Sequence, residues 1–247
     1  MTDGTTTTDG RGAGDGGCKD LRYYSFKDYL TEEEAAQFFT WSHAVQVDKV
    51  RSYLDFLAAQ PRPPNFTSSS KASISYAMVD QSRLDGDAHE RVDSQVLRTL
   101  TDGKTMSGFG AFGTDDGFLP QKELSMAVAN VIEHIGHQYM VERNKKGEMR
   151  PPVLNSRSFF FYWCHAEKQK IMDIQQKLDD AGVSTNDRTK YWAAVVVHVD
   201  RDMCADCIEF ATKYVIAERI CMRVQDPSVL RVFGANGLTN KEDALEQ

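Results

Sequence analysis

The stretch YWAAVVVHVD (191–200) constrains the fold most, because it is rich in β-branched residues and almost free of polar ones. Such a run is typical of a central strand that is buried on both faces of a sheet, as in α/β proteins. Around it, residues 156–226 alternate in the order strand, helix, strand, helix, strand. The sequence therefore predicts an α/β fold with helices on the faces of a central sheet.

Periodicity and composition predict regular elements along most of the chain. The predicted strands cover residues 72–80, 156–163, 191–200, 220–226 and 228–233. The predicted helices cover residues 93–100 and 119–143, a segment that starts at His165 and stops before Gly182, and a segment that starts at Cys204. Near the N-terminus, Thr31 and Glu34 have the spacing of a helix capping box, and apolar residues follow at helical intervals.

The domain organisation follows from shifts in composition. Residues 1–19 are mostly Gly, Thr and Asp and cannot repay the entropy of ordering, so they are predicted to form a disordered tail. Residues 20–60 form a predicted helical accessory region, which the Pro- and Ser-rich linker 61–70 follows. The α/β domain is predicted to span residues 71–235, with its core in residues 150–226, and a second tail covers residues 236–247.

Composition and charge exclude several classes of protein. The formal net charge of −7 argues against a protein that coats duplex nucleic acid with a basic face. The longest apolar runs, 158–164 and 192–199, are far shorter than the ~20 residues of a membrane-spanning helix. The first residues lack the apolar segment of a secretory signal, so a cytoplasmic or nuclear location is expected. The five cysteines are sparse and odd in number, so reduced thiols are expected.

Two further motifs are better explained without a bound ligand. Gly108, Gly110 and Gly113 match the dinucleotide-binding spacing G-x-G-x-x-G, but no predicted strand precedes them, so a flexible loop is expected. The phenylalanines of this loop would suit a lid over a site. His134 and His137 are three residues apart in the predicted helix 119–143, yet no third ligand accompanies them. Surface or packing roles are expected for both histidines.

His165, Cys204 and Cys207 are candidate metal ligands because of their places in the strand and helix order. Parallel strands joined by right-handed helical crossovers place successive helix N-termini at one edge of the sheet, so the three side chains are expected to meet. One imidazole and two thiolates suit Zn²⁺ and leave the fourth tetrahedral position for water. Glu167, in the first turn after His165, is expected near that water as a proton shuttle.

The motifs HAE (165–167) and CADC (204–207) resemble those of the zinc-dependent nucleobase deaminase superfamily, H-x-E followed by P-C-x-x-C on the next helix. Met203 stands where the superfamily usually has the proline. The resemblance extends over residues 150–226. Within the superfamily, these motifs are most similar to those of stand-alone fungal deaminases and of deaminase toxin domains. It implies a cytidine-deaminase-like fold, a three-layer α/β/α arrangement with a mixed central sheet, here preceded by the helical accessory region.

The resemblance also implies an activity and the roles of individual residues. The chain would be a hydrolytic deaminase with one catalytic Zn²⁺ that converts cytosine to uracil in a polynucleotide, with DNA expected ahead of RNA. His165, Cys204 and Cys207 would hold zinc, and Glu167 would be the catalytic proton carrier. The residues expected to contact substrate are Asn155, the backbone of Ala166, and the rings of Tyr162 and Trp163. A nucleic-acid partner, no membrane and a monomeric state are expected.

Three alternatives stay open from the residues alone. The zinc site could be structural, with Cys164, His198 or Cys221 as a fourth ligand. The enzyme could act on a free nucleoside or nucleotide of the cytidine or adenosine type. The chain could also be a zinc-stabilised nucleic-acid-binding module without activity, although the intact Glu167 argues against this.

Overall fold

The computed structural model describes residues 25–62, 72–83, 92–138 and 159–243, together with Lys146, Glu148 and Leu154. The predicted N-terminal tail and most of the predicted linker lie outside the described residues. The predicted division into domains stays a prediction.

Helices and strands are numbered in chain order. The α-helices are α1 (Phe26–Tyr29), α2 (Glu32–Gln37), α3 (His43–Ala58), α4 (Ser94–Thr101), α5 (Gln121–Ile135), α6 (Ala166–Asp180), α7 (Thr185–Ala194) and α8 (Ala205–Glu218). The strands are β1 (Ile74–Val79), β2 (Thr105–Met106), β3 (Val195–Val199), β4 (Met222–Gln225), β5 (Val229–Gly234) and β6 (Gly237–Asp243). Short 3-10 helices cover Phe38–Thr40, Gln81–Arg83 and Phe159–Cys164. In the part of the chain that is described, every helix is too short or too polar to cross a lipid bilayer.

The six strands form one mixed sheet in the order β2-β1-β3-β4-β5-β6. β3 and β4 are parallel, with Val197 opposite Val224, and the other neighbouring pairs are antiparallel. Helix α8 connects β3 to β4, as parallel neighbours require a long crossover. α6 packs against β1, β2 and β3, α7 against β3 and β4, and α8 against β5 and β6. The predicted cytidine-deaminase-like α/β/α class is confirmed.

The predicted strand at 156–163 is wrong in its described part, because Phe159–Cys164 form a 3-10 helix. This segment packs against α5, and Trp163 is completely buried there. Aromatic residues favour a strand only where a pleated neighbour is available, since β-propensity mainly reflects packing against neighbouring strands. Both edges of β1 are already paired, with β2 and β3, so β1 offers this segment no free edge.

Other predicted bounds also need correction. α5 ends at Ile135 instead of extending to 143, because Gly136 adopts a left-handed conformation with φ 64° and caps the helix. Residues 191–194 end α7 and do not belong to the strand, which begins at Val195. Residues 237–243, predicted as part of a tail, form β6 and pair with β5. Their sequence GLTNKED is mostly polar, so the pattern of apolar residues did not indicate a strand. The predicted strand at 228–233 is confirmed as β5.

The N-terminal helices share the core of the sheet-containing part. Val50 and Leu54 of α3 belong to the same buried cluster as Val128 of α5 and the apolar residues of β3. Each fully buried side chain of this size contributes about 1.5–3 kcal/mol of transfer free energy. His43 Nε2 also lies 2.7 Å from the carbonyl oxygen of Ala129, which ties the start of α3 to α5.

Candidate metal centre

His165 and Cys204 occupy equivalent positions at the starts of two helices. His165 is the N-cap residue of α6 and Cys204 is the N-cap residue of α8, and both have extended backbone conformations. Cys207 lies in the first turn of α8, and its N–H donates a hydrogen bond to Cys204 Sγ at 3.4 Å. The positive end of a helix dipole favours thiolates at such positions.

The donor atoms of these residues converge. His165 Nδ1 lies 3.2 Å from Cys207 Sγ and 3.6 Å from Cys204 Sγ. Ligand atoms of His165, Glu167, Cys204 and Cys207 all lie within 4.8 Å of one another. Tetrahedral zinc with bonds of about 2.0–2.3 Å would separate its nitrogen and sulphur ligands by about 3.5 Å. The donor set and its spacing therefore fit Zn²⁺, and the structure brings together the three predicted ligands and Glu167.

The two cysteine thiols differ in proton affinity. The hydrogen bond with Cys207 lowers the pKa of Cys204 to about 4, because it and the contact with His165 outweigh the effect of burial. Burial raises the pKa of Cys207 well above its usual value, and the contact with Cys204 raises it further. Burial acts to lower the pKa of His165, but its contacts with Cys204 and Glu167 raise it overall. One thiolate is thus formed readily, and metal binding would release the proton of the second thiol.

Glu167 is the fourth member of this cluster. Its side chain is in the first turn of α6, is 5% exposed and lies among the ligand atoms. In the part of the chain that the structure describes, the cluster contains none of the three candidate fourth ligands, Cys164, His198 and Cys221. His198 instead stacks on Tyr76 of β1. Catalytic zinc sites typically have three protein ligands and an open fourth position, whereas structural sites have four closed ligands.

The residues predicted to contact substrate occupy different environments. The ring of Tyr162 is partly exposed and stacks on His165 with the centroids 5.3 Å apart. Trp163 is completely buried, and its ring meets His43 edge to face, so it presents no exposed surface. Ala166 is also buried. Asn155 lies outside the described residues. The four assignments stay predictions, and Tyr162 is the better placed of the two rings.

The glycine-rich loop supports the residue that precedes His165. The N–H of Gly108 donates to the Cys164 carbonyl at 2.8 Å. The Gln169 amide donates to the carbonyls of Gly108 at 3.0 Å and Cys164 at 2.9 Å. Gly108 has φ 131°, a conformation that favours glycine. The prediction of a loop here is confirmed, and the loop lies beside the start of α6.

Sequence reasoning missed a buried ion pair between the two ligand-bearing helices. Lys168 Nζ donates hydrogen bonds to an Asp206 carboxylate oxygen and to the Tyr162 carbonyl, and both charged residues are buried. His137 Nε2 lies 3.2 Å from the other carboxylate oxygen, so His137 is a buried polar partner of Asp206. The pKa of Asp206 falls to about 2 despite burial, because His137 and Lys168 stabilise its carboxylate. No local sequence pattern indicates this pair, because Lys168 and Asp206 lie on different helices and are 38 residues apart.

Comparison with known families agrees with this geometry. Residues 104–171 match the family model described as Single-strand DNA deaminase toxin A, C-terminal. The chain resembles a toxin-type deaminase. The predicted resemblance to the zinc-dependent deaminase superfamily is thereby confirmed. The matched stretch runs from the start of β2 into α6 and contains His165 and Glu167, whereas Cys204 and Cys207 lie beyond it. The comparison with curated proteins found no match.

Proposed function

We propose that the protein is a zinc-dependent hydrolytic deaminase that converts cytosine to uracil in single-stranded DNA. The observation that carries the proposal is the convergence of one imidazole, two cysteine sulphurs and a buried glutamate at the starts of α6 and α8. The family match supports DNA as the substrate, because the matched family is described as acting on single strands.

The donor atoms of the cluster support zinc as the metal, and Glu167 is the residue beside them that can move protons. His165, Cys204 and Cys207 would hold Zn²⁺, which when bound supplies a Lewis acid that makes water nucleophilic near neutral pH. The buried surroundings strengthen the electrostatic interactions of the site, because the local dielectric constant is lower than that of water. In this proposal Glu167 carries protons and does not act as a fourth ligand.

Glu167 would move the protons of the reaction. Its carboxylate accepts a proton from the attacking water and delivers it to the ring nitrogen N3, while a C–O bond forms at C4 of cytosine. Glu167 then takes the second proton from the new C4 hydroxyl and gives it to the amino group, so that the C4–N bond breaks, ammonia leaves and C4=O forms. Cytosine and water are converted to uracil and ammonia, and Glu167 regains its starting state. Proton transfer of this kind contributes about 10²–10⁴-fold to the rate.

The substrate base must leave any stack to reach the site. In a single strand the free-energy cost of unstacking the base is small, because there is no base pair to break. Tyr162 presents a partly exposed ring next to His165, and a base could stack on it. The formal net charge of −7 disfavours tight binding to the phosphate backbone, so contacts with the base would have to supply much of the affinity.

The experiment compares the purified zinc-loaded protein with Glu167→Gln on matched substrates. These are a single-stranded DNA oligonucleotide with one cytosine, its duplex, the corresponding RNA, free cytidine, and an adenosine-containing strand. Uracil is detected by glycosylase cleavage and other products by mass. Glu209→Gln is the matched control, because Glu209 lies on α8 and pairs with Lys213 at 3.7 Å outside the cluster.

The proposal predicts conversion of cytosine in single-stranded DNA, a loss of about 10²–10⁴-fold in Glu167→Gln, and wild-type rates in Glu209→Gln. Conversion of free cytidine or adenosine alone would replace the proposal with a nucleoside deaminase. Stoichiometric zinc without conversion of any substrate would refute catalysis and leave a zinc-stabilised binding module.

A further inference from the structure

Asp226 is a buried carboxylate at the turn between β4 and β5, 1% exposed. One of its oxygens, Oδ1, accepts hydrogen bonds from the N–H groups of Ser228 at 3.0 Å and Val229 at 2.8 Å. The other, Oδ2, accepts from Arg231 at 2.8 and 3.0 Å and from the N–H of Met203 at 3.2 Å. The carboxylate therefore joins its own turn to a distant segment of the chain.

That distant segment leads directly into the metal centre. Met203 precedes Cys204, the N-cap residue of α8. Proline is usual at this position in the superfamily, and a proline would have no N–H to donate. Here the Met203 N–H is present and is bonded to Asp226. Beside it, the Ser228 hydroxyl donates to Asp202 at 2.5 Å, a second link between the same two segments.

We infer that Asp226 is a positioning residue for the metal centre, and that its carboxylate holds the Met203 peptide and thereby fixes Cys204 at the start of α8. The inference rests on the proposed zinc site. Proline restrains the peptide before the first cysteine through its ring. In this chain a hydrogen bond to a buried carboxylate provides the restraint from outside the helix.

The environment of Asp226 suits a fixed anchor. Burial acts to raise the pKa of Asp226, but the bonds from Arg231 and from three backbone N–H groups outweigh it and hold that pKa below its usual value. Residues that orient metal ligands without touching the metal typically change metal affinity by about 10–100-fold when they are replaced. The same range is expected for Asp226.

Asp226→Asn distinguishes the hydrogen bonds of Oδ1 from those of Oδ2. The asparagine oxygen can still accept from Ser228 and Val229 and so keep the turn, while its NH₂ group would face the Met203 N–H and Arg231 and cannot accept from them. Adding Arg231→Met removes the guanidinium that would otherwise lack its partner. The double variant is therefore the version expected to fold most readily. Asp202→Asn is the matched control, since it makes the same chemical change beside Met203 while its amide oxygen can still accept the hydrogen bond from the Ser228 hydroxyl.

Zinc affinity is measured by competition with a chromophoric chelator, at a temperature where circular dichroism shows every variant folded. Absorption of the Co²⁺-substituted protein reports the thiolate ligands independently of activity. The expected result is about 10–100-fold weaker zinc binding in Asp226→Asn and in the double variant, with weaker thiolate-to-cobalt absorption, and unchanged binding in Asp202→Asn.

Zinc affinity within twofold of wild type in the folded double variant would overturn the inference and leave the proposed function intact. A wild-type protein that binds zinc but deaminates no substrate would refute the proposed function, and the affinity comparison would still decide the role of Asp226. Wild-type protein that binds no zinc would overturn both.

Discussion

The buried ion pair between Lys168 and Asp206 predicts a large and specific loss of stability. Lys168→Met removes the ammonium group and keeps a side chain of similar length. Asp206 then stays buried with His137 as its neighbour but without its cation. Removing one partner of a buried pair costs about 3–5 kcal/mol, because the remaining charge is left inadequately compensated.

This loss is large compared with the total free energy of unfolding of a typical domain, which is about 5–15 kcal/mol. For a chain of this size, 1 kcal/mol corresponds to about 2–4 °C in Tm. The variant is therefore expected to melt at least about 6 °C below wild type. Because the pair joins α6 to α8, the two helices that carry the ligands, zinc affinity should fall together with stability.

Urea unfolding of the chelator-treated protein measures the free energy of unfolding, and Lys190→Met is the control. Lys190 pairs with Asp187 at the surface, where the side chains are 39% and 47% exposed, and such pairs contribute about 0–1 kcal/mol. The double variant Lys168→Met with Asp206→Leu should regain most of the loss, since an apolar pair carries no desolvation penalty. A Lys168→Met variant that loses no more than Lys190→Met would refute the reasoning.

Three further outcomes are expected. Cys204→Ser should lower bound zinc, measured by atomic emission, well below about one ion per chain, whereas Cys221→Ser, outside the cluster, should not; equal losses would contradict the ligand assignment. Burial acts to raise the pKa of Asp80, but side-chain hydrogen bonds, including one from Arg223, lower it overall. Asp80 thus stabilises the fold above its unfolded pKa of about 3.9 and loses this effect as pH falls through its lower folded pKa. Asp80→Asn should cost stability at pH 7 and progressively less below about pH 4 in urea titrations, and a pH-independent difference would count against the ion pair. Gly136→Ala should lower the free energy of unfolding by about 1 kcal/mol through backbone strain alone, since φ is +64° and an added Cβ would meet no atom within 4 Å. Gly136→Asn should cost less, because asparagine tolerates the left-handed conformation better; an unchanged free energy of unfolding in the alanine variant would contradict the cap.

The elements with strong local patterns could be predicted from the sequence. The β-branched residues of β3 and the capping box at Thr31 and Glu34 are local features, and the structure contains both. The short strand β2 and the polar strand β6 could not be predicted, because their pairing depends on neighbours far away or on a hairpin. The aromatic run before His165 led to a wrong strand prediction for a related reason: the strand propensity of a segment depends on whether a neighbouring strand is available for pairing.

The residues of the candidate site could be predicted from the sequence, but the residues that hold them in place could not. The spacing in HAE and CADC was enough to expect His165, Glu167 and the cysteines together. Asp226 could not be found in this way, because it lies 19 residues beyond the last ligand and acts through a backbone N–H. Contacts of this kind leave no pattern of residue types.

The ligands meet even though the described part of the predicted strand before His165 is a 3-10 helix, and the edge of the sheet explains why. Helix α8 begins just beyond the end of β3, and α6 begins beside the loop that follows β2. Backbone hydrogen bonds join the end of β3 and the loop after β2 to the start of β1: Asp200 N–H to Ile74 O at 3.0 Å, and Ser107 N–H to Ser73 O at 2.9 Å. A third bond, from Gly108 N–H to Cys164 O at 2.8 Å, joins the same loop to the residue before His165. The antiparallel β1–β2 pair therefore does what the predicted parallel strand was expected to do, because it holds the start of α6 at the same sheet edge from which β3 leads into α8.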